Sequence, residues 1–137
     1  MSDSGLLILR VGLGIIFPFH AWIKLNPKGP SKGPAGFIGF LKQLGVPLPG
    51  LLGWVVILLE SVGAALLIVG LGTRIVALGL AIEMLVAILL VKRRMAKARF
   101  MEPNGTGWEF EFALMVASLA LVFTGAGSIA LDGVFGL

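Results

Sequence analysis

The sequence predicts an all-α integral membrane protein, a bundle of four transmembrane helices with a short interfacial helix in the first loop. Two observations carry this. Of the 137 residues, 58% are hydrophobic and 13% charged, and the mean hydropathy is +1.04, whereas soluble domains are about half apolar and about a quarter charged. The apolar residues also gather into four stretches, at about 5–25, 51–71, 74–91 and 110–131, each near the ~20 residues that cross a ~30 Å hydrocarbon layer. The whole chain, 1–137, reads as one domain, because the spans leave no room for a separate catalytic domain.

The first span follows Met1-Ser2-Asp3-Ser4, which lacks the basic segment and small-residue cleavage site of a signal peptide, so it is expected to persist as a mature helix. Within it Pro18 frees the Gly14 carbonyl, for a bend or for a ligand. From Asn26 to Gly50 the chain carries Pro27, Pro30, Pro34, Pro47 and Pro49, which a continuous helix does not tolerate. Inside that loop Phe37, Ile38, Phe40, Leu41 and Leu44 recur at helical spacing opposite Lys42 and Gln43, predicting an interfacial helix over 35–44. The second and third spans are parted by Gly70-Leu71-Gly72-Thr73, a glycine break with Thr73 as the expected N-cap, and so form a tight hairpin. Ahead of the fourth, Thr106-Gly107-Trp108-Glu109 matches a capping box, with Thr106 as cap and Glu109 reaching back. Trp22, Trp54 and Trp108 fall near one predicted boundary, as an aromatic belt would.

Nine of the eleven cations, Lys24, Lys28, Lys32, Lys42, Lys92, Arg93, Arg94, Lys97 and Arg99, fall on one side of this even-numbered bundle. The positive-inside rule makes that side cytoplasmic and puts both termini on the outer face of a bacterial inner membrane. Cations placed in this way account for the net charge of +4 without nucleic acid. The chain has no cysteine and a single histidine, His20. Thiol chemistry and a bis-histidine haem are therefore outside its reach, and no metal site or covalently bound cofactor is expected. A redox group would have to come from a partner subunit or be a diffusible lipid.

Ionisable residues within spans are costly and are the first candidates for function. Arg10 lies near the outer surface, Glu60 and Glu83 near the midplane, and His20, Lys24, Glu109 and Glu111 near the cytoplasmic side. Glu60 is flanked by Gly53, Gly63 and Ala64, and Glu83 by Gly79 and Ala87; such small residues mark faces of close helix approach. Two readings follow. Arg10 forms a structural ion pair with Glu60 or Glu83 that fixes register, or the carboxyls serve a ligand or a proton path. His20 and Lys24, one turn apart just after Pro18, are candidates to hold a polar headgroup.

With these residues in view, the sequence resembles the DoxX family of small bacterial membrane proteins over roughly residues 5–132. The likeness rests on Arg10-x3-Gly14-x2-Phe17-x2-His20-x3-Lys24, Leu59-Glu60-Ser61-Val62-Gly63, Gly70-Leu71-Gly72-Thr73-Arg74, Gly107-Trp108-Glu109-Phe110 and Ser128-Ile129-Ala130-Leu131-Asp132. The resemblance implies a four-helix membrane bundle and, in characterised branches, membership of membrane oxidoreductase assemblies, including thiosulfate:quinone oxidoreductases. Two positions depart from the family pattern: Ala21 stands where glycine is common, and Lys92 where many members carry a second histidine.

The leading expectation is a membrane subunit of an oxidoreductase complex, not catalytic alone, that associates with a quinone through His20, Lys24, Glu60 and Glu83. Its partners would be the bilayer and other membrane or membrane-associated subunits. A purely structural or assembly subunit is the alternative. A small-solute or ion transporter is the third, disfavoured because four helices show no inverted repeat.

Overall fold

The computed structural model describes residues 2–137. Five helices account for most of the chain: α1 Asp3–Leu25, α2 Gly33–Gln43, α3 Pro49–Val69, α4 Thr73–Met95 and α5 Glu109–Thr124. No strand occurs among the described residues. The Ser2 hydroxyl caps α1 by accepting from Gly5 N at 3.1 Å, and the helix runs on through Pro18. The short α2 is entered through left-handed Lys32 and Gly33 and buries Phe37 and Leu41 against α1 and α3. Proline opens α3 at its first position, where its missing N–H costs nothing. Midway the helix widens to π-helical over Leu59–Gly63. It stops at Gly70, whose φ of 73° suits glycine. A second π-helical stretch forms the last turns of α4, Ala87–Met95.

The long helices form a closed ring in which α1 packs on α3, α3 on α4, α4 on α5 and α5 back on α1. Leu13, Phe17, Leu67, Leu80 and Leu121 fill its axis. Outward-facing Ile8, Phe19, Ile75 and Phe123 are largely exposed, an apolar surface suited to lipid contact. Trp22 and Trp54 are exposed as well, while Trp108 packs edge-on against Phe100 and Phe112. The two chain termini share one end of the ring, here called the terminal end. The long loops 26–48 and 96–108, with the clustered cations, share the other, the loop end.

Several sequence expectations change at the terminal end. The fourth helix stops at Thr124 instead of extending to 131, because Gly125 and Gly127 take φ of 75° and 82° and turn the chain back across the bundle. At sixteen residues α5 is ~24 Å long, short of the ~30 Å layer; α1, α3 and α4 are long and apolar enough to span. The returned segment is what Arg10 binds. Its fully buried guanidinium donates from Nη1 to the Leu67 and Ile68 carbonyls at 2.9 and 3.0 Å, from Nε to Ala126 O at 3.1 Å, and from Nη2 to Ile129 O. The expected ion pair of Arg10 with Glu60 or Glu83 does not form. The orphan carbonyls that end α3, at the negative pole of its dipole, compete for the guanidinium from much closer by.

Thr73 is likewise not the cap of α4. It is the first helical residue, and the free amides at this end are taken by Asp132, whose carboxylate accepts from Gly72 N at 2.6 Å and Thr73 N at 3.1 Å. Arg74 closes α5 from outside, donating to Val122 O and Phe123 O at 2.7 and 2.9 Å. Asp3 accepts from Ser128 N at 3.0 Å, tying α1 to the returned segment. At the loop end the Thr106–Glu109 capping box is absent. Thr106 Oγ1 donates instead to Asn104 Oδ1 at 2.6 Å, and Glu109 N donates to Phe100 O at 3.1 Å. The folded-back loop thus supplies the cap from its backbone, fixed there by the Phe100, Trp108 and Phe112 cluster.

Candidate functional site

Toward the loop end the helices diverge around a cavity of about 640 Å³. Its walls are mostly apolar, from Phe37 and Leu41 of α2 and Leu44 just after it, Leu52 and Leu59 of α3, Met84 and Leu90 of α4, and Phe110 and Leu114 of α5. The polar groups are few and gathered: His20 and Lys24 from α1, Glu60 from α3, Glu83 from α4, with Glu111 and Arg94 also in the lining. The four residues nominated from sequence as ligand-binding thus lie around one space. Arg10, nominated with two of them, belongs to the terminal-end lock.

Each side chain is held for a physical reason. The π-helical widening Leu59–Gly63 includes Glu60 as its second residue, and such insertions re-aim side chains at functional sites. Its carboxylate, 2% exposed, meets Lys24 Nζ at 2.7 Å. The lysine also donates to His20 O at 3.3 Å and stands 5.2 Å from the centre of the Phe37 ring, so α2 helps to position the ammonium. The Glu83 carboxyl lies beside that of Glu60, and its Oε2 is buried with no hydrogen-bond partner. The imidazole of His20 stacks on Phe110 at 6.1 Å and tilts against Phe17 at 6.4 Å, at the border of the cavity. Lys92 pairs with Glu111 at 3.4 Å.

Sequence reasoning missed the Lys24–Glu60 pairing and the part of α2 in the wall. The pairing follows from the relative register of α1 and α3, which no local pattern encodes. Phe37 and Leu41 were legible as an apolar face, but not what that face covers. Glu109 has a buried Oε2 without a partner and is not in the cavity lining.

An all-helical, multi-pass membrane protein with a ligand-sized cavity between its helices is the class these features define. The chain belongs to the DoxX family, whose profile matches residues 5–93. It is similar to a protein of Bacillus subtilis (strain 168) named "Putative oxidoreductase CatD", 38% identical over 130 residues, a match covering 95% of this chain and 86% of that one. No solved structure matches.

Proposed function

We propose that this protein is the membrane subunit of an oxidoreductase complex and that its loop-end cavity holds a quinone. The observation that carries the reading is the meeting of His20, Lys24, Glu60 and Glu83 around one apolar space. The volume falls within the ~300–1,000 Å³ usual for small-molecule sites, and the mix of apolar wall with a few convergent polar groups is theirs as well. A quinone suits the donor set: a ring for the apolar walls, a carbonyl for Lys24 or His20, and an acid at hand where Glu83 Oε2 has no partner. The name carried by the Bacillus relative is in keeping with redox work.

A bound quinone would supply two-electron, two-proton redox chemistry. The chain's own residues orient and handle protons. Lys24 Nζ is fixed by Glu60 and offers its remaining N–H to a carbonyl. Glu83, buried beside the Lys24–Glu60 pair with Oε2 unpartnered, is the group placed to exchange a proton with the ligand, with His20 second at the aromatic wall. Electrons would come from a partner subunit, since a chain without cysteine and with one histidine builds no cluster or bis-histidine haem of its own.

The terminal-end lock supports a second role, in assembly, for Arg10, Arg74 and Asp132, because each is consumed in closing helix ends. The test that separates ligand binding from assembly is purification of the whole complex with wild-type protein and with His20→Ala. Reduced quinone per complex and slower quinone-linked turnover at unchanged subunit stoichiometry support the proposal. Wild-type complexes without quinone, or intact mutant complexes with unchanged turnover, refute it.

A further inference from the structure

We propose that the cavity is entered from the side. Its occupant is an amphiphile whose head lies at Lys24, Glu60 and Glu83, and whose long apolar tail leaves between α3 and α4 into the hydrocarbon layer. The head rests on the quinone reading above, while the tail and its route are carried by separate observations.

The first is how α3 and α4 part. They are joined at the terminal end by the Gly70–Gly72 turn and, farther in, by two close approaches at glycines, Leu59 over Gly79 and Val76 over Gly63. A Cβ on Gly79 of α4 would stand 3.0 Å from Leu59 Cδ2, and one on Gly63 of α3 would stand 3.3 Å from Val76 Cγ1 of α4. Beyond that fulcrum the loop-end half of α3, Pro49–Leu58, makes no substantial contact with α4 and packs on α2 instead. The helices therefore splay apart toward the loop end.

The second observation is what lines the gap. Val55, Ile82 and Val86 are part of the cavity wall and yet are 47%, 54% and 41% exposed. Side chains that border the cavity and the outer surface together mark a lateral opening, and at this level the outer surface meets acyl chains. The third is the floor: α2 lays Phe37, Phe40 and Leu41, and Leu44 just after it, across the loop end of the same space, with Phe37 and Leu41 buried. A water-soluble substrate would have to displace that helix. A lipid-soluble one has the fissure, with apolar walls leading inward to the Lys24, Glu60 and Glu83 cluster. This geometry selects a ligand that is polar at one end and apolar along a chain, so tail length becomes a determinant of affinity.

The test compares two probes, an isoprenoid-tailed naphthoquinone and menadione, the same ring without the tail, binding to the protein in nanodiscs. The variants are Ile82→Trp, which fills the fissure from an already exposed position, and Ile8→Trp, a control on the lipid face remote from it. Wild type should hold the tailed quinone at least about tenfold more tightly than menadione, Ile82→Trp should cost about tenfold for the tailed probe and under about twofold for menadione, and Ile8→Trp should change neither. Unaltered binding of the tailed probe to Ile82→Trp, or equal losses for both probes, overturns the lateral route while leaving the quinone reading in place. Failure of both probes to bind wild type overturns the quinone reading alone. The route is then decided by mass analysis of co-purified acyl lipid: lipid kept by wild type and lost from Ile82→Trp upholds it, and equal lipid in both removes it.

Discussion

Arg10→Met is the substitution whose cost follows most directly from the structure. The unbranched stem is kept and the guanidinium is lost, and four backbone carbonyls, Leu67, Ile68, Ala126 and Ile129, lose their donor. Charge-assisted hydrogen bonds contribute about 1.5–3 kcal/mol each. They share one guanidinium and are not additive, and the terminal end admits some water once the lock opens. Those two effects bring the expected loss to about 3–5 kcal/mol, the range for breaking a buried charged cluster. Lysine has three donors on a single nitrogen and cannot span the four acceptors, so Arg10→Lys should recover less than half. Asp132→Ala, which uncaps α4, should cost about 0.5–2 kcal/mol. Its combination with Arg10→Met should cost less than the sum, because both side chains pin the same returned segment. Reversible unfolding in mixed detergent micelles, titrated with sodium dodecyl sulfate and followed by circular dichroism, reads these differences. A loss below about 1 kcal/mol for Arg10→Met, or a double-mutant coupling between Arg10 and Glu60 above about 0.5 kcal/mol, would refute the lock as described.

Three further outcomes are expected. Lys24→Met leaves Glu60 buried without its partner and should destabilise by about 3 kcal/mol, whereas Lys24→Met with Glu60→Leu should regain most of that loss; the same detergent titration measures both, and a double variant as unstable as the single would contradict the pairing. Cysteines at Ser2 and Lys97, at opposite ends of the bundle, should react with an impermeant maleimide from opposite sides of the membrane, with Lys97 inside by the positive-inside rule; labelling of Lys97 in intact cells reverses the orientation. In the loop after α4, hydrogen bonds from the Arg99 side chain and backbone hold the Glu102 carboxyl below its usual value. A depressed carboxyl favours the folded loop above its unfolded pKa, and that contribution fades as pH falls through the folded value. Hydrogen-exchange protection factors around 99–105, corrected for the intrinsic pH dependence of exchange, should accordingly fall on acidification into that range, and Glu102→Gln should remove this fall.

The sequence by itself located the three long apolar helices able to cross the bilayer and the end that carries the cations. Apolar runs of ~20 residues and the distribution of lysine and arginine are local properties, and the bilayer acts on them directly. It also marked Glu60 and Glu83 as inward-facing, since small residues one turn away leave a face that only another helix can cover. His20 and Lys24 were legible as a pair for the same reason of spacing. Partners were not legible. Arg10 was matched by depth and charge to a carboxylate, but it binds backbone carbonyls, which every residue carries and no side-chain pattern reveals. Asp132 caps a helix that begins about sixty residues earlier, and Lys24 reaches Glu60 across thirty-six residues of chain. The end of α5 was overestimated because residues 125–131 are apolar enough to continue a span, while the positive φ of Gly125 and Gly127 turns them back over the bundle. Hydrophobicity acts residue by residue and can be read along the chain. A hydrogen bond or ion pair depends on the distance between two groups, and that distance is set only when the helices have packed in register.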